Sequence, residues 1–347
     1  MTRVLVTGAT GFIGSHVAHE LLAAGYEVRA LVRPAAPERS ARNPLDPRLE
    51  VVPGDLRDPK SLREELAGCE LLAHVAADYR LWAPEPKAIY ATNLIGTRNL
   101  LLAALQLGVR RVVYTSSVAA CGLPPDGTPG TEETPLDPDH LAGTYKRSKY
   151  LAEREALRLA KDEGLPLVVV NPSTPVGPGD VKPTPTGRII VDFLRGRIPA
   201  YVNTGLNLIA VEDCARGHVL ALERGRLGER YILGHRNLSL RELLGLLATL
   251  SGRQAPRVRL PRWVAYAAAY GDELIEGRLL RREPDIPVNG VRMSSRCMYF
   301  DASKAVRELG LPQTSIEEAL ARAIAWFRAK GYVPNPELIT SAQPSAD

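Results

Sequence analysis

The stretch that most constrains this chain is Thr7-Gly8-Ala9-Thr10-Gly11-Phe12-Ile13-Gly14. It follows an apolar run, Val4-Leu5-Val6, and opens a segment from Phe12 to Ala24 with apolar residues at helical spacing. Strand, tight glycine turn, helix is the context that a dinucleotide-binding fingerprint requires. Gly8 lets the chain turn sharply, Gly11 lets backbone approach a pyrophosphate, and Gly14 lets the helix pack closely on the strand. The helix start, where Thr10, Phe12 and Ile13 stand among those glycines, offers unpaired N–H groups and a positive dipole end to phosphates. The glycines fall as GxxGxxG rather than GxGxxG, so taken alone the stretch also fits a glycine turn in some other βα unit.

With 347 residues the chain has room for a main domain and a smaller one. The net charge of +5 is an arginine excess, since only eight of the 44 basic residues are lysine. A basic surface attracts nucleic acid or anionic lipid. The arginines are scattered, however, with no basic run interleaved with aromatics, so nucleic acid is not an expected partner. Cys69, Cys121, Cys214 and Cys297 are far apart and form no CxxC, which argues against a metal site and suits a reducing compartment. The first strand starts by Val4, leaving no room for a signal peptide, and no apolar run reaches the ~18 residues of a membrane span. A cytoplasmic protein without an integral membrane segment is expected; peripheral membrane contact stays open.

Glu27 to Val32 reads as a second strand. In NAD-binding units an acid near this point bonds the ribose 2′-OH, whereas an arginine accommodates a 2′-phosphate. Here Arg33 stands nineteen residues after Gly14, and the nearest downstream acid is Glu38. A guanidinium fits a phosphate, so NADP(H) is favoured over NAD(H). Residues 34–47 read as an exposed connection. A third strand over 49–52 ends in Gly54-Asp55-Leu56, where Asp55 can accept from an adenine amino group and Leu56 can cover the ring. Asp58 reads as the cap of a helix from Pro59 to Ala67. A fourth strand spans 70–77; small residues at its end, Ala76 among them, admit ribose and phosphate, and His74 reads as a satisfied buried histidine rather than a catalyst. The loop that follows carries Tyr79 and Trp82, a substrate lip or simply surface packing. Helices run from Ile89 to Leu107, and a fifth strand spans 111–115.

A second constellation follows: Ser116-Ser117 at a strand end, then Tyr145-Lys146-Arg147-Ser148-Lys149 opening a helix. Tyr145 and Lys149 are four residues apart and share one helical face. A phenol is a poor base at neutral pH, and a neighbouring ammonium favours its phenolate. Tyr145 so tuned can exchange a proton with a carbinol or carbonyl oxygen while hydride moves to or from a nicotinamide, with Ser117 steadying that oxygen.

These residues resemble the extended short-chain dehydrogenase/reductase family: TGATGFIG at 7–14, GDL at 54–56, HVAA at 74–77, YTSS at 114–117 and YKRSK at 145–149. The likeness covers roughly residues 1–330. It implies an enzyme with an α/β doubly wound parallel sheet and a smaller, mixed C-terminal substrate lobe. It also implies catalytic roles for Ser117, Tyr145 and Lys149, and cofactor contacts from Gly8, Gly11, Phe12, Ile13, Gly14, Arg33, Asp55, Leu56 and Pro172, with Lys149 holding the nicotinamide ribose. A homodimer through the helices near 90–107 and 145–162 is implied too. Within the family the chain is similar to dihydroflavonol-4-reductase-like enzymes, and the phrases ADYRLWAPEP, NPSTPVGPGDVKPTPTGR and PVNGVRMS look like the hopanoid-associated sugar epimerase subgroup. Val118-Ala119 stands where nucleotide-sugar dehydratases carry Asp-Glu, so dehydration is not expected. The apolar run at 205–211 lacks the arginine of nucleotide-sugar enzymes and suits a lipid-like or aromatic small-molecule substrate.

A sixth strand spans 165–170. Residues 1–170 with about 206–235 are expected to form the nucleotide domain, about 171–205 and 236–333 the substrate lobe, and 334–347 a frayed tail. Ser239 reads as the cap of a helix over 240–250. The leading expectation is a hydride-transfer enzyme, by net reduction or by redox-neutral epimerisation; the alternative of another class is a non-catalytic NAD(P) sensor.

Overall fold

In the computed structural model, residues 2–34, 45–80, 82–83, 85–138, 141, 143–280, 282, 284 and 287–333 are described. Expectations for the tail after 334, for Glu38 and for most of the connection before 45 fall outside them.

The strands are β1 (Arg3–Thr7), β2 (Glu27–Val32), β3 (Glu50–Pro53), β4 (Leu71–His74), β5 (Arg111–Thr115), β6 (Leu167–Pro172), β7 (Thr174–Val176), β8 (Ala200–Tyr201), β9 (Gly205–Ala210), β10 (Arg230–Leu233), β11 (Arg236–Ser239) and β12 (Val258–Arg259). The helices are α1 (Phe12–Ala23), α2 (Pro59–Leu66), α3 (Pro86–Tyr90), α4 (Thr97–Gln106), α5 (Gly143–Glu163), α6 (Pro185–Leu194), α7 (Val211–Arg224), α8 (Leu240–Ser251), α9 (Arg262–Asp272), α10 (Val288–Met293), α11 (Ser303–Leu309) and α12 (Ile316–Ala329).

Seven strands make one parallel sheet in the order β10-β6-β5-β4-β1-β2-β3. The order reverses between β1 and β4, and that reversal opens a crevice at the strands' carboxyl ends. Successive side chains on a strand face opposite sides, so two cores form. Val4, Val6, Ala73, Val113, Val168 and Val170 pack against α1, α7 and α11. Leu5, Leu72, Val112, Leu167 and Val169 pack against α2, α4 and α5. Because both faces are covered, the strands read as continuous apolar runs.

A third core belongs to the smaller lobe, where β7, β9 and β11 form a mixed sheet under α6, α8 and α12. The strand at Gly205–Ala210 lies in this smaller sheet, so the chain rejoins the main sheet's packing with α7 rather than at residue 206. Two caps are as the residues dictate. Asp58 accepts from the Lys60 amide at 3.0 Å, and Ser239 with Glu242 closes a reciprocal capping box on α8.

Two glycines test these packing statements. A Cβ on Gly14 stands 2.1 Å from the Gly8 carbonyl oxygen, a backbone atom that cannot yield. A Cβ on Gly245, inside α8, meets nothing within 4 Å. In denaturant unfolding, Gly14→Ala is expected to cost about 2 kcal/mol or more, whereas Gly245→Ala is expected to stabilise by roughly 0.5–1 kcal/mol.

Candidate active site

The glycine turn sits at the topological switch. Gly8 has φ +79°, and a Cβ there would lie 2.8 Å from the Ala76 amide nitrogen, so only glycine lets β1's exit lie against β4's. Gly11 starts α1 with no side-chain cap, and no acid occupies the first turn. The first amides of α1 are therefore left for an anion, the fit that a pyrophosphate requires. Thr10, Phe12 and Ile13 are half-buried around this start, and Phe12 meets the His16 ring edge-on at 6.0 Å.

On the other side of the crevice α5 brings Tyr145, Ser148 and Lys149 to the end of β5. Tyr145 is half-buried; burial pushes its phenol above the usual range, and the neighbouring Ser117 offsets part of that rise. Lys149 is 2% exposed. Its ammonium donates to the Thr115 carbonyl at 2.7 Å and to the Tyr114 hydroxyl at 3.2 Å, and it lies 4.8 Å from the centre of the Tyr114 ring. Burial brings its pKa down to about 7, opposed by the Glu153 carboxylate one helical turn on. The direct lowering of Tyr145 by Lys149 expected from spacing is not what this state shows: Ser117 supplies the lowering influence, and the ammonium's hydrogen bonds go to Tyr114 and Thr115.

A polar ladder crosses three strands behind this pair. Thr7 on β1, His74 on β4 and Tyr114 on β5 stand side by side in register. Thr7 Oγ1 accepts from the Val75 and Ala76 amides, both at 3.1 Å. Its own hydrogen therefore goes to His74 Nδ1 at 2.8 Å, which leaves Nε2–H to donate to Thr97 Oγ1 at 2.9 Å. The His74 ring also stacks on Tyr114 with centroids 5.4 Å apart, and the Tyr114 hydroxyl receives Lys149. Burial holds His74 near pKa 3, so it stays neutral, as a satisfied histidine should. On the sheet's other face His218 Nδ1 donates to the Cys214 carbonyl at 2.7 Å, and its Nε2 accepts from the Thr115 hydroxyl at 3.0 Å. The residue whose carbonyl holds Lys149 is thus itself held from behind.

Below Lys149, Glu153 accepts from Asn171 at 2.6 Å and from Arg230 at 2.9 Å. The same Asn171 amide donates to the Ser117 carbonyl at 3.0 Å, tying α5 to the serine's backbone. Pro172, buried, closes β6 immediately after. Asn93 makes a second tie: it donates to the Asp78 carbonyl and to Ser148 Oγ, both at 2.9 Å, and accepts from the Asp78 amide at 2.7 Å.

The remaining expected residues surround this centre. Arg33 is exposed at the end of β2, and its charge helps hold the Asp55 carboxyl low. Asp55 itself is paired with Arg57 at 2.6 Å, and Leu56 is buried beside Gly96. Tyr79 donates to the Lys182 carbonyl at 3.1 Å, and the Trp82 indole lies against Gly277, so this loop reaches into the smaller lobe. Its neighbours Leu81 and Pro84 lie outside the described residues. All four cysteines are free, and among the described residues no group of His, Cys, Asp or Glu is placed to hold a metal.

Residues 4–234 match the NAD-dependent epimerase/dehydratase family. The chain belongs to that family. It is 50% identical over 333 residues to a dihydroflavonol 4-reductase-like protein of Synechocystis sp., covering 94% of this chain and 95% of that one. Sterol demethylase protein B of Methylococcus capsulatus is 36% identical over 330 residues, covering 95% and 99%. Among solved structures, the crystal structure of gox2253 superposes with a TM-score of 0.84 at 46% identity, covering 96% of this chain and 99% of that one. This epimerase/dehydratase-family chain is therefore an NAD(P)-dependent oxidoreductase or epimerase, within the extended short-chain dehydrogenase/reductases. No described helix is long and apolar enough to cross a membrane.

Reading the sequence of this family member by itself missed Glu153, Asn171, Thr97, Tyr114 and Arg230 as parts of the site. One signal was available: Tyr145, Lys149 and Glu153 repeat at four residues, which places an acid on the same helical face. Glu153→Gln is expected to keep the shape but remove the charge opposing Lys149's deprotonation. The ammonium then loses its proton at lower pH, so the fall in turnover that follows its deprotonation near pH 7 moves to the acidic side of neutrality in a pH–rate profile. Glu153→Ala leaves Arg230 without its buried partner and is expected to cost about 3 kcal/mol in denaturant unfolding.

Proposed function

We propose that the enzyme moves hydride between a nicotinamide dinucleotide and an oxygen-bearing carbon of a sugar-, polyol- or lipid-linked small molecule. The observation that carries this is the placement of Tyr145 on α5 close enough to Ser117 for the serine to act on its phenol, with the buried Lys149 ammonium on the same helix, held by the Thr115 carbonyl. The uncapped start of α1 and its glycines would hold the pyrophosphate, and Asp55, Leu56, Ala76 and Pro172 would flank the adenosine and nicotinamide ends. Bound, the dinucleotide supplies the site that gives or takes the hydride. Tyr145 gives its proton to the carbonyl oxygen as the carbon is reduced, or takes the carbinol proton in the opposite direction. Ser117 holds that oxygen by hydrogen bonding, and Lys149 would hold the hydroxyls of the nicotinamide ribose.

Arg33 supports a preference for NADP(H), because an exposed guanidinium at the end of β2 complements a 2′-phosphate. The smaller lobe would close over the substrate. A relative named for sterol demethylation favours a lipid-like or aromatic substrate over a nucleotide sugar, whereas the apolar side chains of β9, expected to face such a substrate, are buried in the protein's own cores. A sugar or polyol head on a bacterial triterpenoid, as in hopanoid-associated epimerases, fits that description. Half-exposed Ile95, Leu107 and Leu151 around α4 and α5 support a homodimer through those helices.

Tyr145→Phe is expected to lower turnover by roughly 10²–10⁴-fold, followed by nicotinamide absorbance across a panel of ketones, polyols and triterpenoid intermediates, with nucleotide affinity kept. Turnover or a cellular phenotype unchanged in that variant would sink the catalytic reading in favour of a nucleotide sensor. Cofactor that survives desalting marks the epimerase, and rapid exchange marks the reductase. Arg33→Ala is expected to weaken NADP(H) about tenfold while leaving NAD(H) unaffected, measured by titration calorimetry.

A further inference from the structure

The largest uncovered apolar surface lies outside the site. Of thirteen large hydrophobic residues exposed among the described residues, seven fall between 258 and 280. They are Val258, Trp263, Tyr270, Leu274, Ile275, Leu279 and Leu280, with Trp263 71% and Leu279 73% exposed. Trp263, Ala267, Tyr270 and Leu274 recur at three- and four-residue spacing, one outward face of α9 and its continuation, while Ala269 is turned inward and buried. The fully exposed charges of this stretch are positive, while its described acids Asp272, Glu273 and Glu276 are half-buried. Arg253, Arg257, Arg259, Arg262 and Arg282 are exposed, whereas no acidic residue described between 252 and 282 is.

We propose that this face docks the enzyme on the surface of an anionic lipid bilayer. Aromatic and aliphatic side chains enter the boundary between headgroups and acyl chains, and flanking arginines pair with lipid phosphates. The charge pattern selects this occupant. In a two-fold contact between copies the same net-positive patch meets itself, so like charge is brought toward like charge. A bilayer of negative charge complements the patch.

The position gives docking a use. Gly277, on the continuation of α9, abuts the Trp82 indole, and Asn289 of α10 fills the space beside Gly143, two residues before Tyr145. The docking face therefore lies on a helix that packs against α10, whose Asn289 stands beside the start of the tyrosine-bearing helix. The proposal does not depend on the reaction assigned above.

The test is co-sedimentation of the full-length protein with vesicles of phosphatidylcholine, alone or mixed with phosphatidylglycerol. Binding is expected to the mixed vesicles only, to weaken at high ionic strength, and to fall by about tenfold or more in Trp263→Asp/Leu279→Asp. Nucleotide binding by that variant, expected unchanged, reports that it is folded. Failure to bind mixed vesicles, equal binding to neutral ones, or undiminished binding by the variant overturns the proposal. So does a halved solution mass of the variant in light scattering, which would make the face a contact between copies.

Discussion

A lysine ammonium buried at the end of a parallel sheet is the constraint that organises this molecule. Removing such a charge from water is costly unless every N–H finds an acceptor and a counter-charge stands near. Lys149 has the Thr115 carbonyl, the Tyr114 hydroxyl and ring, and Glu153 beneath it. Each of those partners is fixed in turn by something on a different element. Thr115 is held through His218 from α7, Tyr114 by the stacked His74 ring from β4, and Glu153 through Arg230 and Asn171 from β10 and β6.

The consequence is that the nucleotide end and the proton-transfer end are not independent. Lys149 bonds Tyr114, whose ring stacks on His74, and from His74 hydrogen bonds run to Thr97 and to Thr7, whose hydroxyl receives the amides of Val75 and Ala76 beside Gly8. Such a ladder works only when complete, because one unmet donor in a dry interior costs more than the bond it replaces. Two fully buried histidines kept neutral serve this end, each with its tautomer set by its neighbours.

Much of the scaffold was legible because its causes are local. Alternating βα segments, apolar strands, the caps at Asp58 and Ser239, and the glycine turn each depend on residues within a few positions of one another. Boundaries moved where context outweighed pattern. β6 runs on through Asn171 and Pro172 because β10 pairs with it that far, and α5 begins at Gly143, whose neighbour is Asn289 from the other lobe. The i, i+4 spacing of Tyr145 and Lys149 was equally visible. What it could not show was the ammonium's partners, since Tyr114 and Thr115 lie more than thirty residues earlier.

By itself the sequence determined that the chain would build a doubly wound sheet with an anion-accepting glycine turn and a tyrosine–lysine pair on one helical face. Those are short-range properties of backbone sterics, apolar period and helix geometry. Only the tertiary structure decided which side chains satisfy the buried ammonium, that Asn171 joins the serine's backbone to Glu153, and that Trp263, Tyr270 and the described arginines of 253–282 are left exposed. Burial and hydrogen-bond completion are set by elements distant in the chain that meet only on folding, so no local pattern records them.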